Sequence, residues 1–285
     1  MSIAANVART LFHTTVIFFV VWAGATVCRG QSAADRKVDI GGRRLHLSEA
    51  GAGSATVVFE SGLGEPGQSW NDVQPAIARF ARTVVYDRAG IGQSDPAKRP
   101  TTTASMVEDL HSLLHAARIA PPYILVGHSL GGTLAQVFAH TYPKEVAGLV
   151  LVDPEGAKLI DRLHAHMTPD DWKVRQQAID ESMPRMPPAV RAEMETLSKE
   201  VSVEDEVLPL PNVPVILLTG TKKNPEFPGN PLEQDLKLEL HNELLARIPG
   251  SKHVLAPDSR HYIQNDSPQL VINAVRDIVD RSAAR

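Results

Sequence analysis

The chain has 285 residues, a formal net charge of −4, and is 43% hydrophobic and 22% charged. That is globular material, long enough to bury a large core in one or two domains. The mild acidity and the lack of a clustered Lys/Arg stripe argue against a nucleic-acid partner. The single cysteine, Cys28, excludes an intramolecular disulfide and a cysteine-based metal site, and the histidines show no H-E-x-x-H spacing. Neither a metal nor a cofactor is expected.

The amino terminus differs from the rest of the chain. Arg9 precedes an apolar stretch from Leu11 to Val27, and Ala23-Gly24-Ala25 and Ser32-Ala33-Ala34 both fit small-x-small cleavage. Residues 1–34 therefore read as a secretory signal peptide. The alternative is an uncleaved membrane anchor, because the stretch approaches spanning length, though His13, Thr14 and Thr15 weaken its start. Ala25-Thr26-Val27-Cys28 lacks the small residue a lipoprotein signal places before its cysteine. Either reading exports the rest of the chain to the periplasm or beyond, free or attached to a membrane through this segment.

Val38 and Ile40, then Leu45 and Leu47, alternate around Gly41-Gly42 and predict a β-hairpin. Thr56 to Glu60 is the next strand and runs into the glycine-rich loop Ser61-Gly62-Leu63-Gly64. Trp70, Val73, Ile77 and Phe80 share one face of a helix expected over about Ser69 to Phe80. Thr83 to Tyr86 is a short buried strand, followed by the tight turn Asp87-Arg88-Ala89-Gly90-Ile91-Gly92-Gln93-Ser94-Asp95 and a helix from Thr103 to Ala117. Tyr123 to Val126 is an apolar run of the kind found in a central parallel strand, bounded by Pro122 and Gly127. A helix through Leu134, Ala135 and Phe138 comes next, then the strand Gly148 to Val152, stopped at Asp153-Pro154.

From Glu155 to Pro211 the rhythm of strand and helix lapses. This stretch is rich in charge and proline, reads as short helices, and holds Met167, Met183, Met186 and Met194. It is expected to form a helical cap (155–211) over a core made of 35–154 and 212–285. Its methionines suit either a pocket that repacks around apolar ligands or plain filling. Val213 to Thr219 resumes the sheet. A helix from Leu232 to Ile248, a strand at Lys252–Leu255, the loop Asp258-Ser259-Arg260-His261-Tyr262 and a last helix from Ser267-Pro268 complete the chain. Alternating strands and helices of this kind specify an α/β, doubly wound, mostly parallel sheet.

Chemistry concentrates at Gly127-His128-Ser129-Leu130-Gly131, a G-x-S-x-G sequence with strand before and helix after. Such a turn forces its serine into a strained conformation at the carboxyl edge of the sheet, so the flanking positions tolerate no bulk. Ser129 is the candidate nucleophile, and the adjoining His128 is expected to pack or to shape the pocket. Together with Asp87 to Asp95, with Arg260-His261-Tyr262-Ile263, and with nucleophile first and histidine last, this pattern resembles the α/β-hydrolase fold family over roughly residues 37–282.

The resemblance implies His261 as general base. Gly-His-Ser-Leu-Gly is similar to the serine esterase and lipase branch. Proline iminopeptidases typically carry tryptophan after the serine, while epoxide hydrolases and dehalogenases use aspartate as nucleophile. The family most often carries its acid after the strand that here is Val215–Thr219, yet Gly220 to Glu226 contains no aspartate. Some branches carry it one strand earlier, where Asp153 stands. Asp153 is the expected acid, with Glu226, Asp258 and Glu155 as alternatives. By the same analogy the oxyanion donors are the backbone N–H groups of Leu130 and Leu63, and Asp87, Arg88 and Ser94 brace the neighbouring turn. The expected activity is hydrolysis of small to medium carboxylic esters through an acyl-enzyme, with a small-molecule ester as the partner. The alternatives are a lyase or cofactor-free haloperoxidase using the same triad, or a binding protein that keeps the fold.

Overall fold

A computed structural model describes residues 34–199, 208–223 and 230–283. The signal-peptide or anchor reading and the candidate acid Glu226 lie outside them. Eight strands form one sheet: β1 (Ala34–Asp39), β2 (Arg44–Ala50), β3 (Thr56–Glu60), β4 (Arg82–Tyr86), β5 (Tyr123–His128), β6 (Val146–Val152), β7 (Val215–Gly220) and β8 (Lys252–Ala256). Their order is β1-β2-β4-β3-β5-β6-β7-β8. β1 and β2 form the antiparallel hairpin that the sequence predicts, and β2 meets β4 antiparallel. Every pair from β4 to β8 is parallel.

The central strands read as unbroken apolar runs because both faces of the sheet are covered. Leu125, Leu149, Leu151 and Leu217 face one side, with Leu110, Leu113 and Leu114 of α2 (Thr103–Ala116) and Leu134 and Phe138 of α3 (Leu130–Thr141). Ile124, Val126, Val150, Ile216 and Leu218 face the other, with Trp70 and with Val271, Val275 and Ile278 of α9 (Pro268–Ala283). Thr102 caps α2 with a complete capping box through Ser105.

The helix expected over Ser69 to Phe80 is broken in two. A 3-10 turn spans Gly67–Trp70, and α1 covers only Gln74–Ile77. Pro75 lies in the first turn of α1, where its missing N–H is harmless, so it starts a new helix and cannot extend the earlier turn. Between β6 and β7 the described residues form α4 (Ala157–His166), α5 (Pro169–Ser182), a 3-10 turn (Met183–Arg185) and α6 (Pro188–Lys199). α7 (Asn230–Ala246) lays Leu236 against Leu159 and Leu163 of α4. A short helix that the sequence does not announce, α8 (Ile263–Asp266), precedes α9. No helix among the described residues is long and apolar enough to cross a membrane.

Helix α3 starts hard against the end of β3. A Cβ on Gly131 would lie 2.1 Å from the Glu60 carbonyl oxygen and 2.6 Å from that of Ser61, and one on Gly127 would lie 2.2 Å from the Gly131 oxygen. Backbone, which has little room to yield, makes all of these contacts. Gly131→Ala is therefore expected to destabilise the fold by about 2–3 kcal/mol. Urea unfolding reads this as a lower midpoint, and an unchanged midpoint would mean that helix and strand end do not meet this closely.

Candidate active site

β5 ends at His128, and Ser129 follows with φ 52° and ψ −122°. Such a conformation in a residue with a Cβ is strained by about 1–3 kcal/mol, and it marks a sharp reversal from strand into helix. The strain is held by backbone bonds: Ser129 N–H donates to the Val152 carbonyl at 3.1 Å, and Gly132 N–H to that of Ser129 at 2.8 Å. Leu130 is the first residue of α3, so its N–H is one of the donors a helix leaves without an internal partner. The Gly62 backbone approaches so closely that a Cβ there would sit 2.8 Å from His128 Nδ1. The loop carrying Leu63 thus lies beside the elbow.

One strand over, Asp153 repeats the device with φ 47°. Its N–H donates to Leu218 O at 2.8 Å, and its carboxylate is fully buried. Oδ1 accepts the Gly220 N–H at 2.9 Å. Oδ2 lies 2.8 Å from His261 Nδ1 and accepts from Lys237 Nζ at 2.5 Å. Burial opposes ionisation of Asp153, but the Lys237 charge and the His261 hydrogen bond outweigh it and hold the carboxyl well below the usual carboxylate range. His261 itself shifts upward. Burial disfavours the imidazolium, while the charge of Glu155 and the bond to Asp153 prevail, with Lys237 opposing them.

The structure therefore brings Asp153 and His261 together. Glu155 Oε1 stands 3.3 Å from His261 Nδ1, further than Asp153, and Asp258 is not paired with the imidazole. His128 is buried, and its Nε2–H donates to the His261 carbonyl oxygen at 3.1 Å while Nδ1 faces Glu65 Oε2 at 3.3 Å. It ties the His261 loop down beside the elbow. The Ser61 hydroxyl, at the start of the Leu63 loop, accepts from the Trp70 indole N–H at 3.1 Å.

Arg88 does more than brace its own turn. It is buried, donates to the carbonyls of Ser61 and Gly62 at 2.6 Å each, and pairs with Glu60 at 2.9 Å and Glu193 at 2.7 Å. Glu193, on α6, also accepts the Gly64 N–H at 2.7 Å. One guanidinium thus fixes the loop around Leu63 and fastens α6 against it. Asp87 accepts the N–H groups of Gly67 and Gln93 at 2.7 and 2.8 Å, and Ser94 Oγ donates to its carbonyl at 2.5 Å.

Lys237, Glu193 and Glu65 do not stand out in the sequence. A signal for Lys237 exists: Gln234, Lys237 and His241 recur at i, i+3 and i+7 on α7, a polar stripe opposite Leu232, Leu236 and Leu240, and all three are buried. Two groups among the described residues bring three metal-ligating atoms within 4.8 Å of one another. His111, His115 and Glu145 stand at the edge where β6 begins, away from Ser129. Asp153, Glu155 and His261 form the other, and there the Lys237 ammonium already bridges the two carboxylates.

Residues 55–239 match the family model described as alpha/beta hydrolase fold. The chain belongs to the α/β-hydrolase fold family. Its relatives include the uncharacterized protein YqjL of Bacillus subtilis, 28% identical over 80% of this chain and 85% of that one. The candidate carbamate hydrolase RutD of Cronobacter sakazakii is 35% identical, over 39% of this chain and 41% of that one. Among solved structures, an esterase from Thermogutta terrifontis superposes with TM-score 0.65 at 20% identity, covering 87% of this chain and 98% of its own. Carboxylesterase CesB from Bacillus subtilis superposes with TM-score 0.63 at 16% identity, covering 87% and 92%.

His241 gives this region an acid weakness. Its Nε2–H donates to Pro154 O at 2.8 Å and its Nδ1 faces Thr219 Oγ1 at 2.7 Å. Burial lowers its pKa from 6.5 to about 4, against the charge of Asp153. Between those values the unfolded chain binds a proton that the folded chain refuses, so stability present above pH 6.5 is lost as pH falls. His253 shifts in the same direction, whereas His261, shifted upward, adds slope only above 6.5. Stability is expected to drop by about 3 kcal/mol from pH 6.5 to 4 through His241. His241→Gln should flatten that slope in urea titrations, and an equal slope in the variant would assign the acid loss elsewhere.

Proposed function

We propose that the protein is a serine hydrolase acting on carboxylic esters of small to medium acyl groups, with Ser129 as nucleophile, His261 as base and Asp153 as acid. The observation that carries the reading is the Asp153–His261 bond at 2.8 Å, on a loop that His128 fastens beside the strained Ser129 turn. With Nδ1 engaged by Asp153, Nε2 is the nitrogen left for proton transfer.

In this reading Ser129 Oγ attacks the acyl carbon and its proton passes to His261 Nε2. The carbonyl electrons move onto oxygen, where the N–H groups of Leu130 and Leu63 stabilise the charge. Collapse expels the alkoxide, which takes the proton from Nε2 and leaves the acyl group on Ser129. Water repeats the sequence with His261 again as base, releasing the acid and free serine. Esterases among the structural neighbours support the choice of ester, and RutD adds carbamates as a class worth assaying. The amino-terminal stretch led by Arg9 supports an exported enzyme, which fractionation of expressing cells tests directly.

Purified protein is expected to hydrolyse short p-nitrophenyl esters faster than long ones. Ser129→Ala should reduce kcat/KM by at least about 10⁴-fold, and Asp153→Asn by about 10³–10⁴-fold. A larger loss for Glu226→Gln than for Asp153→Asn would reassign the acid, and undiminished turnover by Ser129→Ala would reject the nucleophile.

A further inference from the structure

Two carboxylates, not one, face the Nδ1 side of His261: Asp153 Oδ2 at 2.8 Å and Glu155 Oε1 at 3.3 Å. Left alone, such a pair would hold the imidazole protonated. A base whose Nε2 already carries a proton cannot take one from serine. Lys237 intervenes. Its side chain is 3% exposed, and its ammonium lies 2.5 Å from Asp153 Oδ2 and 3.2 Å from Glu155 Oε1. Despite burial, the two carboxylate charges raise its pKa, so it is a fixed cation.

We propose that Lys237 and Glu155 are an opposed pair of positioning residues that set the proton affinity of His261, Lys237 lowering it and Glu155 raising it. Charge balance is the reason. Asp153, Glu155 and Lys237 sum to −1 with His261 neutral and to zero with His261 as imidazolium. Proton transfer from Ser129 therefore closes the cluster to neutrality. Without Lys237 the resting cluster carries −2 and traps the proton. Without Glu155 it starts neutral and resists becoming positive. The inference rests on the proposed triad, since it assigns His261 the role of base.

Other charged or titratable groups packed around His261 act from further off. His128, at the end of β5, stacks obliquely with ring centroids 4.6 Å apart and bonds the His261 carbonyl, not the ring. Glu65, in the loop after β3, is engaged with His128. Tyr262 meets the ring edge-on, and Glu233 of α7 is paired with Arg175 at 3.7 Å. His241 sits behind Asp153 and is neutral above about pH 4.

The test is the pH profile of kcat/KM for p-nitrophenyl acetate on the full chain, from about pH 5 to about pH 9. Lys237→Met should move the acidic limb upward by about one to two pH units, and Glu155→Gln should move it downward by about one. The double variant should return close to wild type. A purely structural salt bridge would lower stability and leave every limb in place. Superimposable limbs, or limbs moving in the same direction, would overturn the proposal. Should Lys237→Met fail to fold, Glu155→Gln decides alone, and a limb that does not move down rejects the idea. Proton NMR titration of the His261 ring, assigned with His261→Gln, reads the same order without substrate. Wild-type protein that turns over no ester would therefore sink the proposed triad while this titration still judged the charge pair.

Discussion

Parallel pairing of β5, β6 and β7 in register is the constraint on which the site depends. His128 lies opposite Val152, and Val152 opposite Leu218, so the chain leaves all three strands at nearly the same height. At that edge the ladder runs two steps further, through Ser129 N–H to Val152 and Asp153 N–H to Leu218. Both residues take positive φ as they do so. Ser129 and Asp153 are thereby set on neighbouring strand ends by backbone bonds, before any side chain contributes. Strain at two residues with Cβ atoms persists only because the sheet and the glycines around it leave no relaxed alternative.

Around that edge the protein buries two cations, each between two carboxylates. Arg88 lies between Glu60 and Glu193 and spends its remaining donors on the carbonyls of the Leu63 loop. Lys237 lies between Asp153 and Glu155 and directs its donors at those carboxylates. The choice of side chain follows from the task. A planar guanidinium can hold backbone and carboxylates in one fixed geometry, while an ammonium acts as a point charge with adjustable direction. One cation fixes a loop, and the other, in the proposed mechanism, balances a charge that changes during a proton transfer. Buried pairs of this type are weak evidence for stability as such, since desolvation cancels much of their attraction. Their placement, one behind the Leu63 loop and one behind His261, is better accounted for by geometry and charge at the site.

The parts legible in the sequence are those whose residue types have one physical use. G-x-S-x-G between an apolar run and a helix specifies the elbow because only glycine fits at Gly127 and Gly131. Asp153 is legible as a carboxylate ending a buried strand. The break near Trp70 is hidden because the apolar spacing of Trp70, Val73 and Ile77 fits a continuous helix, and only Pro75 speaks against it. Lys237 is announced only by the polar stripe that it shares with Gln234 and His241. Its helix carries charge like a surface helix and exposes Asp235, Glu239 and Glu243, yet Gln234, Lys237 and His241 are buried beside the apolar stripe that packs on Leu159 and Leu163, with Lys237 against the acid cluster. Composition reports polarity, whereas the cause of burial is a partner 84 positions away. Glu193 is hidden in the same way, because nothing near it in sequence announces Arg88.

The place proposed for the acid, at the end of β6 and not after β7, has a steric account. After β7 the chain reaches Gly220, where a Cβ would lie 1.9 Å from the Arg260 carbonyl oxygen and 3.1 Å from that of Ser259. The His261 loop is packed directly onto the backbone at that point, and Lys222 N–H and Thr221 N–H bond to Ser259 O and Ala256 O. A carboxylate growing from the end of β7 would have to displace the loop that carries its own histidine. The strand end contributes a donor in its place: Gly220 N–H binds Asp153 Oδ1, leaving Oδ2 for His261 and Lys237. With the proposed acid on Asp153, one strand inward, the histidine loop can pack close against the end of β7. There Lys237 of α7 reaches Oδ2 as well, so one carboxylate oxygen faces both the imidazole and the ammonium.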